Sequence, residues 1–224
     1  MRGVYRILLT AITVLLCLSF ISCDDDKKDR EYNEAEVIAA AEELLDMVKS
    51  INEIYYGKGF EYDEGESIGI YKRATDESLL KFGIGSVEEL KAVTKQVYSD
   101  SRAEIMFDTV LEAVSDDGVI RHYARYYDHK GDDGESFIMV NSQYSYHLTG
   151  DIEYLPGIRV SDVDGEVIII TVPVRLTSDK GKIKDTTLQI GMIEEDDGWR
   201  FSTPTHAVYN ESSDAYEDLL DKLN

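Results

Sequence analysis

Apolar residues recur every three or four positions in the N-terminal half of this chain and every second position in the C-terminal half. Val37, Ala41, Leu44, Val48, Ile51 and Tyr55 form one stripe at helical spacing. Asn33, with Glu36 three residues on, resembles a capping box at its start, and Gly57 and Gly59 close it. Residues 58–75 are rich in Gly, Glu and Tyr without a period, which predicts a loop that can hold a short hairpin. Ser86-Val87-Glu88-Glu89 is a second capping box, followed by Leu90, Val93 and Val97 on one face. Ser101-Arg102-Ala103-Glu104 reads as a third, with Ile105, Met106, Val110 and Leu111 inward and Asp116-Asp117-Gly118 as its stop. Two consecutive helices with a break near Ser99 are expected.

After Gly118 the period falls to two. Val119–Tyr127 alternates, as do Phe137–Val140 and the neighbourhood of Tyr144 and Tyr146. Arg159–Val163 runs into Asp164-Gly165, a two-residue hairpin signal. Val167–Leu176 follows with Ile168, Ile170, Val172, Val174 and Leu176 on one face; Pro173 within it predicts an edge strand or a bulge. Asp179-Lys180-Gly181 turns into Ile183–Ile193, and Asp196-Asp197-Gly198 turns into Trp199–Thr203. Asp214–Leu223 is read as a short amphipathic helix or a frayed tail. The predicted class is α+β, with N-terminal helices packed on a curved antiparallel sheet.

The first 33 residues carry a different signal. Arg2 and Arg6 precede an apolar run, Ile7–Ile21, then Ser22 and Cys23, the layout of a secretory leader. Fifteen residues are fewer than the ~20 a membrane span needs. With cysteine at the cleavage point the segment resembles a bacterial lipoprotein signal, which implies cleavage after residue 22 and lipidation of Cys23. An uncleaved anchor and plain secretion are the alternatives. Residues 23–33 read as a solvated acidic tether, and 34–224 as a single α+β domain. An acidic run after the lipidated cysteine resembles a surface-export signal in some bacteria and inner-membrane retention in others, so the membrane and leaflet stay open.

Charge narrows the partners. The chain has 23 Lys and Arg against 45 Asp and Glu; without residues 1–22, which hold Arg2 and Arg6, the formal charge is −24. A nucleic-acid partner is not expected, because phosphate binding needs a basic surface. The membrane is reached through the lipid. With Cys17 in the leader and Cys23 lipidated, no thiol remains for a disulfide or metal site.

Residues 86–205 resemble the nuclear-transport-factor-2-like (cystatin-like) superfamily of bacterial envelope proteins. The resemblance rests on Ser86-Val87-Glu88-Glu89-Leu90, on Asp117-Gly118-Val119-Ile120, and on Asp197-Gly198-Trp199-Arg200-Phe201-Ser202-Thr203-Pro204-Thr205. It implies a cone of helices over a bent sheet, and acidic inhibitors of cell-wall D,L-endopeptidases are the nearest in size, export and charge.

No nucleophile motif, phosphate loop or zinc spacing is present, and neither a metal nor a cofactor is expected. His122, His129, His147 and His206 are expected to be solvated or hydrogen-bonded. Asp132-Asp133-Gly134-Glu135 and Asp162-Val163-Asp164-Gly165-Glu166 read as turns rather than calcium loops. The candidate site is a ladder of Arg121, Tyr123, Arg125, Tyr127 and His129 along one strand face, extended by Tyr144 and Tyr146. It suits a carboxylate or glycan on the concave sheet; the competing reading is a solvated face whose arginines pair with surplus acids. The expected function is a non-enzymatic, lipid-anchored envelope protein that binds a protein or glycan and inhibits or scaffolds a cell-wall enzyme. A small-ligand binder and an isomerase- or dehydratase-type enzyme in the same fold are the alternatives.

Overall fold

In a computed structural model the residues described are 32–112, 114–116, 119–132, 134–145, 150–210 and 215–217; Cys23 and the tether up to residue 31 lie outside them. The described residues from Tyr32 onward form one compact unit. Its first helix, α1 (Glu34–Tyr55), starts where the Asn33 side chain accepts from the Ala35 amide at 3.1 Å. Glu34 and Glu36 in the first turn complement the helix dipole. The predicted stripe is buried throughout, joined by Leu45 and Ile54. Each such aliphatic side chain contributes roughly 1.5–3 kcal/mol of burial. The helix has no basic residue in its last turn, so its terminal carbonyls must find donors elsewhere.

Residues 58–75 do contain a hairpin, β1 (Tyr62–Ile68) with β2 (Tyr71–Ala74). A helix not foreseen follows, α2 (Asp76–Phe82), capped by Thr75. Helix α3 (Val87–Val97) is capped as predicted, with Ser86 Oγ accepting from the Glu89 amide at 3.0 Å. The next helix, α4 (Asp100–Val110), begins two residues earlier than expected. Its cap is Ser99, not Ser101, because the Ser99 amide is tied to the Phe201 carbonyl at 2.9 Å and its hydroxyl accepts from Arg102 N. The inward face is therefore Ala103, Met106, Phe107 and Val110. Ile105 lies two residues from Phe107, on the opposite side, and is 52% exposed.

The strands that follow are β3 (Val114–Asp116), β4 (Val119–His122), β5 (Tyr126–Lys130), β6 (Ser136–Asn141), β7 (Asp151–Tyr154), β8 (Arg159–Asp164), β9 (Val167–Thr177), β10 (Ile183–Glu195), β11 (Gly198–Phe201), β12 (Val208–Asn210) and β13 (Ala215–Glu217). They build a mixed α+β body whose antiparallel sheet curls strongly on itself. One part runs β1-β2-β6-β5; the other runs β11-β10-β9-β7, with β8 also on β9. The long β9–β10 ladder supplies the core. Ile168, Ile170 and Val172 sit opposite Met192, Ile190 and Leu188, all buried.

Three expectations about strands change. Strand β9 is central, not an edge: β10 pairs along one side and β7 with β8 along the other. Pro173 fits because its side of the backbone faces the corner between β7 and β8. There its carbonyl accepts from Leu155 N at 2.8 Å, and the register shift falls in β8, between Val160 and Asp162. The hairpin after β8 pairs Asp164 with Val167, so its two central residues are Gly165 and Glu166, with Gly165 at φ 61°. Ala215–Glu217 is a strand on β12 rather than a helix.

Candidate functional site

The predicted ladder does not run along one strand. Strand β4 ends at His122 and β5 begins at Tyr126. Between them Ala124 and Arg125, and then Tyr126, are buried in succession, which an alternating strand cannot do on one face. The chain turns inward here because Arg125 N donates to Val110 O at the end of α4, while Arg125 O accepts from Asn141 N.

Arg125 is 2% exposed and faces the end of α1. Its Nη1 donates to Tyr55 O at 2.9 Å and its Nη2 to Gly57 O at 2.6 Å. Tyr126 adds its hydroxyl to Ile54 O at 2.8 Å. The basic group that α1 lacks in its last turn is thus supplied by Arg125, just before β5. Tyr144 is half-buried, its ring 4.9 Å from the Arg125 guanidinium carbon. Burial raises the Tyr144 phenol, opposed by Arg125. The Arg121 side chain and Tyr146 lie outside the described residues.

Tyr127 and His129 point the other way, onto the face of β2-β6-β5 turned from the core. Tyr127 and Arg73 flank Met139 across the strands, and His129 pairs with Phe137. The Tyr71 and Tyr127 rings meet edge-on at 4.8 Å, His129 lies 5.3 Å from Phe137, and Arg73 stacks 4.7 Å over Phe137. Tyr123 is 46% exposed beside this group. Met139, though only 1% exposed, is not part of the main core; these side chains cover it from the solvent side. Sequence reasoning missed Tyr71 and Phe137 as members. Phe137 stood in a recognised strand, but Tyr71 came from a stretch without a period.

A second polar group lies inside the body. Asn52 of α1 donates to Thr205 Oγ1 at 3.0 Å and accepts from Tyr98 Oη at 3.0 Å. Tyr98 and Thr205 hydroxyls are 2.5 Å apart, and Tyr154 of β7 donates to Thr205 O at 2.8 Å. Burial holds the Tyr98 phenol well above its usual range. Against this network pack Tyr56, His206 and Arg102. The His206 ring lies 4.2 Å from that of Tyr56, and Arg102 reaches Tyr56 Oη. His206 was expected to be solvated or hydrogen-bonded; it is neither. It is 2% exposed and neither ring nitrogen has a partner among the described residues. Burial, then the nearby Arg102 charge, lowers its pKa to about 3, so it is neutral at pH 7. Nothing local in the sequence marks His206 or Arg102.

No described set of three His, Cys, Asp or Glu side chains gathers in a way that could hold a metal ion, and no described Asp or Glu is buried. No protein-family model, no curated protein sequence and no solved structure matches the chain.

Proposed function

We propose that this is a non-enzymatic, lipid-anchored protein of the bacterial envelope, with a nuclear-transport-factor-2-like (cystatin-like) domain. It binds another envelope protein through the outer face of β2-β6-β5. The observation that carries this is the cluster of Tyr71, Tyr127, His129, Phe137 and Arg73 over Met139, with Tyr123 beside it. Tyr and Arg around a desolvated centre are the residues from which binding hot spots are made. Carboxylates rim it: Glu66 pairs with Arg73 at 3.2 Å and Glu64 with Lys72. The strong excess of acid over base favours a partner with a basic surface, such as a basic cell-wall hydrolase domain. Such a partner would be inhibited or scaffolded rather than turned over.

The test compares wild-type protein with the Tyr71→Ala/Tyr127→Ala double variant as baits in solubilised envelopes. A basic protein retained by wild type, released by salt and lost with the variant is expected. Equal capture by both baits, or none by wild type, overturns the reading. Anchoring is tested separately: Cys23→Ala should move the protein from the membrane to the soluble fraction. Mass spectrometry finding an intact, unmodified leader removes the anchor.

A further inference from the structure

Three of the described arginines are buried, and two of them hold two or more short hydrogen bonds. Arg125 serves the two α1 carbonyls. Arg200 donates to Lys95 O at 2.9 Å, Trp199 O at 2.8 Å and Asp197 Oδ2 at 2.6 Å. Arg102 differs. It is 5% exposed, its Nε has no partner among the described residues, and its one side-chain hydrogen bond is a 3.4 Å contact from Nη2 to Tyr56 Oη. No carboxylate of the described residues pairs with it, in a chain whose acids outnumber its bases by 22. A guanidinium carries five N–H donors. Burying it without an anion costs several kcal/mol.

We propose that Arg102, His206 and Tyr56 form a binding site for a small free carboxylate. The adjacent Nε–H and Nη2–H of Arg102 form the side-on fork that matches a planar carboxylate. His206, stacked on Tyr56 and neutral, offers one N–H to the same anion or to a substituent beside it, and one acceptor nitrogen to a hydroxyl. Among the described residues, Arg102 is the charged group that acts on His206. Arg102 comes from α4; burial raises the phenols of Tyr98, at the α3–α4 junction, and Tyr154 of β7, so both are neutral. A monoanion therefore closes the charge balance, whereas a phosphate dianion would bring a second, uncompensated charge into a buried site. A cleft of about 320 Å³ borders this group, lined by Asn52 and by Ala207, the residue after His206, with Lys49, Lys81, Glu53 and Asp151 at its walls. The site is distinct from the outer aromatic face, and its test stands whether or not that face binds a partner.

The test titrates the full protein with sodium acetate at constant ionic strength, with sodium chloride and sodium phosphate as controls. It reads the melting temperature and the His206 imidazole NMR resonances. Acetate should raise the melting temperature saturably and shift the His206 signals, and the two controls should not. Arg102→Met removes the charge but keeps the side-chain length. It should fold, melt no lower than wild type without ligand, and weaken the apparent acetate affinity at least about tenfold. No saturable acetate response, an undiminished response in Arg102→Met, or an equal response to phosphate would each overturn the proposal. A large loss of stability in Arg102→Met would overturn it too, because the guanidinium would then be serving the fold.

Discussion

Arg125→Met isolates what the buried guanidinium does for α1. Methionine keeps the length and most of the apolar stem, so the change removes chiefly two hydrogen bonds, to Tyr55 O and Gly57 O. Both residues are buried, so neither carbonyl gains water freely. Hydrogen bonds to a charged group contribute about 1.5–3 kcal/mol each. Stacking of the guanidinium on Tyr126 and Tyr144, at 5.1 and 4.9 Å, contributes about 0.5–1 kcal/mol more. Some relaxation toward the Met side chain offsets part of this. The expected loss is about 3–4 kcal/mol, a large share of the 5–15 kcal/mol typical of a folded domain.

Urea denaturation followed by the fluorescence of Trp199, the sole tryptophan, measures this directly. The midpoint should fall at unchanged m-value, and the melting temperature should drop by about 10 °C. Arg125→Lys, a single point charge on a flexible stem, should recover only part of the loss. A loss below about 1 kcal/mol for Arg125→Met would show that the α1 carbonyls are satisfied without the guanidinium, and the assignment of Arg125 as the helix cap would fail.

Gly59 sits at φ 72°, and a β-carbon there would lie 1.9 Å from Tyr126 Oη and 2.6 Å from Arg125 Nη2. Gly59→Ala should therefore cost at least about 2 kcal/mol by the same urea assay, and a neutral result would mean the α1 terminus is not held as described. Tyr98→Phe leaves Asn52 Oδ1 without a donor in a buried network and should cost about 1–3 kcal/mol; unchanged stability would count against the network. His206 keeps a folded pKa of about 3 against an unfolded value near 6.5. The unfolded state therefore binds more protons in between, and stability should fall as pH drops through that window, by up to about 1.4 kcal/mol per pH unit. Melting curves between about pH 7 and 5 should show His206→Gln with a flatter dependence, and identical slopes would refute the assignment.

Elements whose cause is local were readable from the residues. The α1 stripe, the Ser86 cap and the Ile168–Leu176 alternation each follow from spacing within one element, and each is seen. Where a distant contact decides, reading failed. Arg125 keeps the parity of Tyr127, so alternation placed both on one face. Its burial is decided by carbonyls 68 and 70 residues earlier in the chain. Ser99 displaces Ser101 as a cap through a bond to Phe201. Pro173 lies inside the sheet because it faces the corner between β7 and β8, where no ladder bond calls for its missing N–H. The outer aromatic face was half readable: Tyr123, Tyr127 and His129 were singled out, while Tyr71 joins them only through the pairing of β2 with β6.

Arg102 and Arg125 turn the same substitution into two opposite expectations. Both are buried cations, and burial alone treats them alike. What separates them is the geometry around each fork of donors. Around Arg125 two carbonyls stand at 2.9 and 2.6 Å, so removing the charge takes a donor from acceptors that the fold had satisfied. Around Arg102 one long contact to a hydroxyl stands against an unpartnered Nε, so removing the charge gives up only that contact and relieves a desolvated cation. If methionine weakens the fold at both positions to the same degree, burial rather than donor geometry governs the response, and the carboxylate site loses its physical basis.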